Sequence, residues 1–420
     1  MSVNYLTKTK IQRVQSFFEK LALLFTIIGI FFIPLSPRIV NTIFPIVVFL
    51  VIFSGNWAMK WEIIKKDKVI FCALLLLAIF IVGIFYSSGS LKYTMQGFFK
   101  YTKVLFLLFL IPLFAAHCNW RKIAENALIA GVFLTIVFSL LNVNGIAVFG
   151  RIAPVVGGYF VHQLYASALL AFTLFILIHR IFDKDKFLWL YILLFLLGFY
   201  VLYFIYIERT GYIIGIGLFS LFILQRLKWQ ALVSLLIIIP LLVTAIYTTS
   251  PTFHKRTNEI FSDIVSYQQN KKLTSVGYRM AFAEYSFKII KSHPLLGTGT
   301  GSFSEMYKNA GGPDLTPGML LGHPHNEYLF IAVQTGILGL LAFLIWIFVQ
   351  IIESYALPFT EKRLVQGVIL AFVINSFTNA SLSINTTGMT YIVFLSIYFA
   401  ARYASKPNLK KPSNKTMKTT

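Results

Sequence analysis

Long apolar runs separated by short, basic gaps set the rhythm of this chain. Runs such as Val69–Tyr86 and Phe187–Ile207 carry no charge. They reach the roughly 20 residues that cross a bilayer as a helix. A membrane β-barrel would alternate apolar and polar positions instead. The pattern predicts an all-α polytopic membrane protein with about 12 transmembrane helices. They fall near 21–35, 39–54, 69–86, 103–117, 124–141, 159–179, 187–207, 211–225, 229–249, 328–351, 364–382 and 386–403. One gap breaks the rhythm. Residues 250–327 form one large loop, on the non-cytoplasmic side by parity from a cytoplasmic N-terminus. The expected organisation is an N-terminal bundle (1–249, about nine helices), the loop region (250–327), C-terminal helices (328–403) and a basic cytoplasmic tail (404–420).

The loop has its own pattern. Tyr278, Phe282, Tyr285 and Ile289 recur at helical spacing, which predicts a helix after Ser275 with Arg279 near its start. Pro294 ends it, because the residue before a proline is pushed out of the α region. The run Gly297-Thr298-Gly299-Thr300-Gly301 follows. It reads either as plain turn chemistry or as backbone N–H groups presented to an anion. No strand-turn-helix unit surrounds it, so it is not a dinucleotide fingerprint.

Composition agrees with a membrane protein: 57% of residues are hydrophobic and 12% are charged. The net charge of +22 raises nucleic acid as a partner. Its distribution argues against that, because every short loop on the side of the N-terminus carries at least two Lys or Arg. No basic-aromatic array of the nucleic-acid-binding kind is present. The tail KPNLKKPSNKTMKTT reads as a topological anchor or as a contact for anionic membrane lipids. The two cysteines, Cys72 and Cys118, imply no disulfide framework. The first apolar run lacks a small-residue cleavage site after it and is expected to be retained.

Candidate chemistry concentrates in few places. His325 and Asn326 precede a strongly apolar run that contains Gly336 and Gly339. If the helix starts near 325, both glycines return to the face under His325, within roughly 20–40°. Small residues there predict close approach by a second helix, with a titratable imidazole held at its outer end. Asn326 also suits a helix cap, and the pair could be a cap alone. His323 and His325 with only Glu327 nearby make a poor ligand set, so no metal and no cofactor is expected. A second constellation is arginine at the outer boundaries: Arg151, Arg209 and Arg279. Guanidinium groups bind phosphate through paired hydrogen bonds. Three around one cavity would suit a pyrophosphate, and salt bridges or headgroup contacts are the alternative. Arg38 reads as a headgroup anchor. His162 and Gln163 are polar residues near the same face. No Asp or Glu lies in the middle of a predicted span, unlike ion-coupled carriers.

Three stretches together resemble the O-antigen ligase and O-antigen polymerase superfamily of bacterial envelope glycosyltransferases. FGRIAPVVGGYFVHQLYASALL is similar to the family's Gly-Arg segment before a span. SVGYRMAFAEYSFKIIKSHPLLGTGTGSF is similar to its arginine-bearing loop. HNEYLFIAVQTGILGLL matches the ligase signature: His, then Asn, Ser or Gln, nine residues, Gly, two residues, then Gly, Thr or Tyr. Many members carry an Asn-rich turn where this chain has His162-Gln163, and no role passes to those two. The resemblance implies transfer of a glycan, without a metal, from undecaprenyl pyrophosphate to lipid A-core at the periplasmic face of the bacterial inner membrane. Both termini would then be cytoplasmic and the large loop periplasmic. His325 would activate the acceptor hydroxyl. Arg279 and Arg209 would hold the leaving pyrophosphate, with Arg151 assisting and Asn326, Gly336 and Gly339 in support. A polymerase with the same donor, or a protein O-oligosaccharyltransferase, is the nearest alternative. A non-catalytic lipid or sugar transporter lies further off.

Overall fold

The computed structural model describes residues 2–146, 162–227, 230–270, 274–313 and 322–404. Arg151, most of the Gly-Arg segment and nearly all of the basic tail lie outside them. Among the described residues the regular structure is helical: α1 (Ser2–Phe32), α2 (Pro37–Phe53), α3 (Trp57–Lys66), α4 (Lys68–Phe85), α5 (Leu91–Tyr101), α6 (Phe106–Ala116), α7 (Trp120–Val143), α8 (Gln163–Phe182), α9 (Leu188–Tyr200), α10 (Arg209–Leu227), α11 (Gln230–Thr249), α12 (Pro251–Asn270), α13 (Ser275–Ser292), α14 (Phe303–Asn309), α15 (Glu327–Ser354), α16 (Phe359–Thr378), α17 (Asn385–Phe399) and the short α18 (Ala401–Ala404). A 3₁₀ turn, Thr102–Leu105, joins α5 to α6, and a π turn, Val201–Ile205, ends α9.

All twelve predicted runs coincide with helices, but fewer qualify as spans. Eight of the described helices are long and apolar enough to cross a membrane, and ten if two bent pairs are each one span. The pairs are α2 with α3, bent by 116°, and α11 with α12, bent by 102°. Two runs read as spans fall short for visible reasons. α16 carries Glu361, Lys362 and Arg363 in its first turn, and α17 has only 15 residues. The loop 250–327 holds α12, α13 and α14. α13 matches the predicted helix and ends just before Pro294.

The centre of the bundle is α8 and α17. α8 is largely apolar on all sides, the mark of an enclosed helix, and 16 of its 20 residues are buried. α17 is buried from Thr386 to Phe399. Its hydroxyls are satisfied locally, with Thr390 Oγ1 donating to Thr386 O at 2.7 Å and Ser396 Oγ to Ile392 O at 2.7 Å. Outer helices present large apolar side chains outward, among them Phe85, Trp189 and Leu236. In lipid that is the favourable arrangement, since the solvent there is itself hydrocarbon.

α15 is broken at Gly336, whose φ of 64° and ψ of −162° are not helical. The helix starts at Glu327, not at 325, and His325 itself is left-handed with φ 53°. Gly336 and Gly339 therefore do not continue a helical face from His325. The close partner at Gly336 is also not a second helix. A Cβ there would lie 2.2 Å from Leu295 O, in the loop before the glycine run.

That loop repairs the break. Thr298 N and Gly299 N donate to Val333 O and Gln334 O at 2.9 and 2.8 Å, and Ile337 N donates to Pro294 O at 2.9 Å. Thr300 N donates to Gly83 O at 2.9 Å and Gly301 N to Gln334 Oε1 at 2.7 Å. In lipid, every backbone group freed by a broken helix needs a partner within the protein. The glycine run supplies those partners and ties α15 to α4. Its N–H groups are spent on protein acceptors, so the turn reading holds and the anion-cradle reading does not.

Candidate functional site

The site is built at one end of the bundle around the break between α9 and α10. α9 ends in the π turn, and Tyr206–Glu208 run extended before α10 starts at Arg209. The carbonyls exposed by that break are taken by α12: Ser250 Oγ donates to Tyr203 O at 2.7 Å, Thr252 Oγ1 to Phe204 O at 3.0 Å, and Arg256 Nε to Ile207 O at 2.9 Å. Arg209 Nε returns the contact, donating to Arg256 O at 2.7 Å. Both guanidinium groups are thus pinned by Nε. Their outer nitrogens reach Glu259, at 2.7 Å from Arg256 and 3.4 Å from Arg209, and Arg209 also lies 3.7 Å from Asp263.

Arg279, on α13, completes the group. Its Nη1 donates to Ser275 Oγ at 3.2 Å, and its Nε is buried with no hydrogen-bond partner. A cavity of about 170 Å³ opens among these residues, lined by Glu208, Arg209, Thr210, Arg256, Arg279 and Thr378. Burial lowers the Arg279 pKa, and the charges of Arg209 and Arg256 lower it further against the pull of Glu208. The main cause is loss of hydration on burial, with repulsion from the neighbouring guanidinium groups a smaller contribution. An anion bound there would relieve that repulsion.

His325 sits beside this cavity. Its backbone N–H donates to His323 Nδ1 at 3.2 Å, which closes a tight turn before α15. Its ring stacks on Phe282 at 5.9 Å and meets the His323 ring edge-on at 4.5 Å. Phe282 is one turn along α13 from Arg279, so one helix face carries both the cation and the platform for the imidazole. The His325 Nδ1 is buried with no partner. Burial, then the charge of Arg279, push the imidazole down to about 4, with the Asn379 side chain opposing. The neutral ring is the form that can accept a proton. Asn379 is fully buried at the end of α16 and its Oδ1 has no partner. Its chain neighbour Thr378 lines the arginine cavity. The cavity and the imidazole are therefore adjoining compartments.

The neighbours of His325 fix the start of α15. Asn326 caps the helix, its Oδ1 accepting from Leu329 N at 3.0 Å, while its Nδ2 donates to Phe377 O at 3.2 Å. The fully buried Glu327 accepts from Tyr101 Oη at 3.0 Å and from Leu382 N at 2.8 Å. Lys103 Nζ donates to Leu382 O and Ser383 O at 2.9 and 2.8 Å. His162 caps α8 through Nδ1, and Gln163 is buried with both polar atoms unpartnered.

Three sequence candidates, His325, Arg279 and Arg209, thus come to one end of the molecule. Arg151 lies outside the described residues. Gly336 and Gly339 lie deeper and serve the packing of the broken helix. Sequence reasoning missed Arg256, Glu208, Glu259, Thr378 and Asn379. A signal for Arg256 was present: Ser250-Pro251 is a helix start, and Phe253, Thr257, Ile260, Ile264 and Tyr267 recur at spacings of 3 and 4. Ser250 does cap that helix, its Oγ accepting from Phe253 N at 3.1 Å.

Comparison with known proteins bears on the same stretch. Residues 194–344 match the family described as O-antigen ligase. The match takes in Arg209, Arg256, Arg279, His325, Gly336 and Gly339. A protein of Haemophilus influenzae described as uncharacterized is 31% identical over 151 residues, which cover 34% of this chain and 38% of that protein. The aligned stretch is thus well under two thirds of the relative's length. Residues 194–344, which carry the arginine cavity and His325, are thus similar to the family described as O-antigen ligase.

Proposed function

We propose that the protein is an O-antigen ligase that transfers a glycan from undecaprenyl pyrophosphate to the lipid A-core oligosaccharide. The observation that carries this reading is the cavity of about 170 Å³ lined by Arg209, Arg256 and Arg279, one residue away from the Asn379 that flanks His325. In this reading the site faces the periplasm in the inner membrane, with both termini cytoplasmic, a placement the distribution of basic loops supports.

The chemistry follows from the geometry. An acceptor hydroxyl gives its proton to the neutral His325 imidazole, and its oxygen attacks the anomeric carbon of the donor sugar. The bond from that carbon to the pyrophosphate oxygen breaks. The lipid pyrophosphate leaves with the electron pair, and its new charge lies against the three guanidinium groups. General-base transfer of this kind is worth about 10²–10⁴ in rate. Fixed donors aimed at developing charge add a comparable factor, on the order of 10²–10³. We propose that these cations fill the role a metal ion takes in other phosphate-leaving reactions. Arg151, in the Gly-Arg segment, would assist at the same pyrophosphate.

The lipopolysaccharide ladder of a deletion strain tests the assignment. A ligase deletion leaves bare core and accumulates long glycan on its lipid carrier. Core capped with single repeats would make the protein a polymerase, and loss of glycan from proteins alone would make it a protein O-oligosaccharyltransferase.

A further inference from the structure

A second cavity, of about 210 Å³, lies among α8, α9, α10 and α11, and its lining is almost wholly apolar. It sits on the helix that begins with Arg209. Its α10 walls are Gly215, Leu218 and Phe219, six, nine and ten residues further on, or roughly 9–15 Å at about 1.5 Å per residue. The wall residue Tyr203 links the two cavities directly, because its carbonyl anchors Ser250 at the head of the helix that carries Arg256. Gly215 lets α10 pack closely against the wall residues Leu202 and Tyr203. A Cβ there would lie 2.4 Å from Tyr203 Oη and 3.1 Å from Leu202 Cδ2. Phe199 and Leu242 at the rim are half-buried, and their neighbours Leu196 and Leu241 are 60% and 65% exposed. The mouth therefore opens sideways, between α9 and α11, towards the hydrocarbon of the bilayer.

We propose that this cavity binds the first isoprenoid units of the donor's polyprenyl chain, directly below its pyrophosphate. This rests on the reading that the arginine cavity takes that pyrophosphate. An apolar void of this size leaves its lining without dispersion contacts, and a hydrocarbon occupant restores them. Cavities on the order of 150 Å³ already accept a benzene-sized group, so a five-carbon unit fits. A headgroup cavity and an apolar cavity stacked along one helix, with a lateral mouth, match a ligand that is anionic at one end and arrives from within the membrane.

The test uses the full-length protein in nanodiscs and two probes, a long-chain polyprenyl pyrophosphate and inorganic pyrophosphate. Ala171→Phe and Leu218→Trp fill the apolar cavity from opposite walls. Each is expected to weaken the lipid probe by at least about tenfold and to leave inorganic pyrophosphate within about twofold. Arg279→Ala weakens both probes. A photoreactive residue at Phe199, in the otherwise unaltered chain, is expected to cross-link the polyprenyl probe, which keeps the test valid if a filled core fails to fold. Unchanged lipid affinity in both filled variants, or equal cross-linking to a diacyl phospholipid, overturns the tail site while leaving the pyrophosphate reading intact. If the unaltered protein binds neither probe, the pyrophosphate reading falls, and the tail site with it.

Discussion

Arginines gather at both ends of the bundle, and they are held differently. At the end away from His325, Arg180 meets Glu125 at 2.6 Å and Arg121 meets Glu361 at 2.6 Å. Arg226 and Arg363 share Asp183 at 2.6 and 2.9 Å, and Arg402 meets Glu353 at 2.7 Å. Each pair ties two helical segments together. At the other end, Arg209 reaches carboxylates only at 3.4 and 3.7 Å. Arg279 has none within ion-pair distance among the described residues. There the side chains surround a void and keep donor groups pointing into it. The same residue type thus fastens one end and equips the other. Tight carboxylate pairing marks the first role. In the second, Arg209 and Arg256 are pinned to backbone carbonyls through Nε, and among the described residues only Arg256 of the three cavity arginines holds a carboxylate tightly, Glu259 at 2.7 Å.

Substitutions separate the two roles. His325→Ala removes the proton acceptor and is expected to lower glycan transfer by about 10²–10⁴, while membrane-inserted protein accumulates as before. Transfer in membranes, with protein amount measured in parallel, checks it, and attached glycan at unaltered levels would remove His325 from the chemistry. Arg279→Ala is expected to cost about 10²–10³ in kcat. Arg279→Lys recovers part of the loss, since a point charge replaces part of the fork's effect.

At the opposite end, Arg180→Ala acts on the fold. It leaves the buried Glu125 without its cation, and breaking a buried pair costs about 3–5 kcal/mol. The expected result is a lower unfolding temperature and less protein, with kcat per folded molecule unchanged. A fall in kcat at normal protein level would erase the distinction between the ends.

How much of this was legible in the sequence depends on distance along the chain. Apolar runs located every predicted helix, because length and hydropathy are local properties. Arg279 was legible as an outer cation on a helix of clear periodicity, and Asn326 as a cap. The break at Gly336 was not, because it exists only against a loop some forty residues earlier, where Pro294 and Leu295 replace the lost helical partners. The face drawn from His325 to Gly336 assumed an unbroken helix and failed for that reason. Arg256 was missed because α12 is polar overall, and its role needs the carbonyl of Ile207, in the break between α9 and α10. Asn379 carries no local signal at all, since it matters only through its place beside His325.

The pH dependence is the finest test of the link between cavity and base. The groups that face His325 are Arg279 from α13, Asn379 from α16, His162 from the start of α8 and His323 from its own turn. Burial and Arg279 bring the imidazole down to about 4, below the ordinary 6.5. The base form is then present at all pH above about 4, so the acid limb of kcat/KM, which reports free enzyme, is expected near 4. Fold stability follows the same sign: it falls as pH drops from 6.5 towards about 4, because the unfolded chain takes the proton first. A bound pyrophosphate offsets the charge of Arg279, which favours the imidazolium, so the acid limb of kcat lies at higher pH than that of kcat/KM. Arg279→Gln should move the kcat/KM limb upward, towards 6.5. If both limbs instead coincide at the ordinary histidine value and the substitution leaves them in place, the arginine cavity and His325 do not act on one another, and the two compartments are neighbours only.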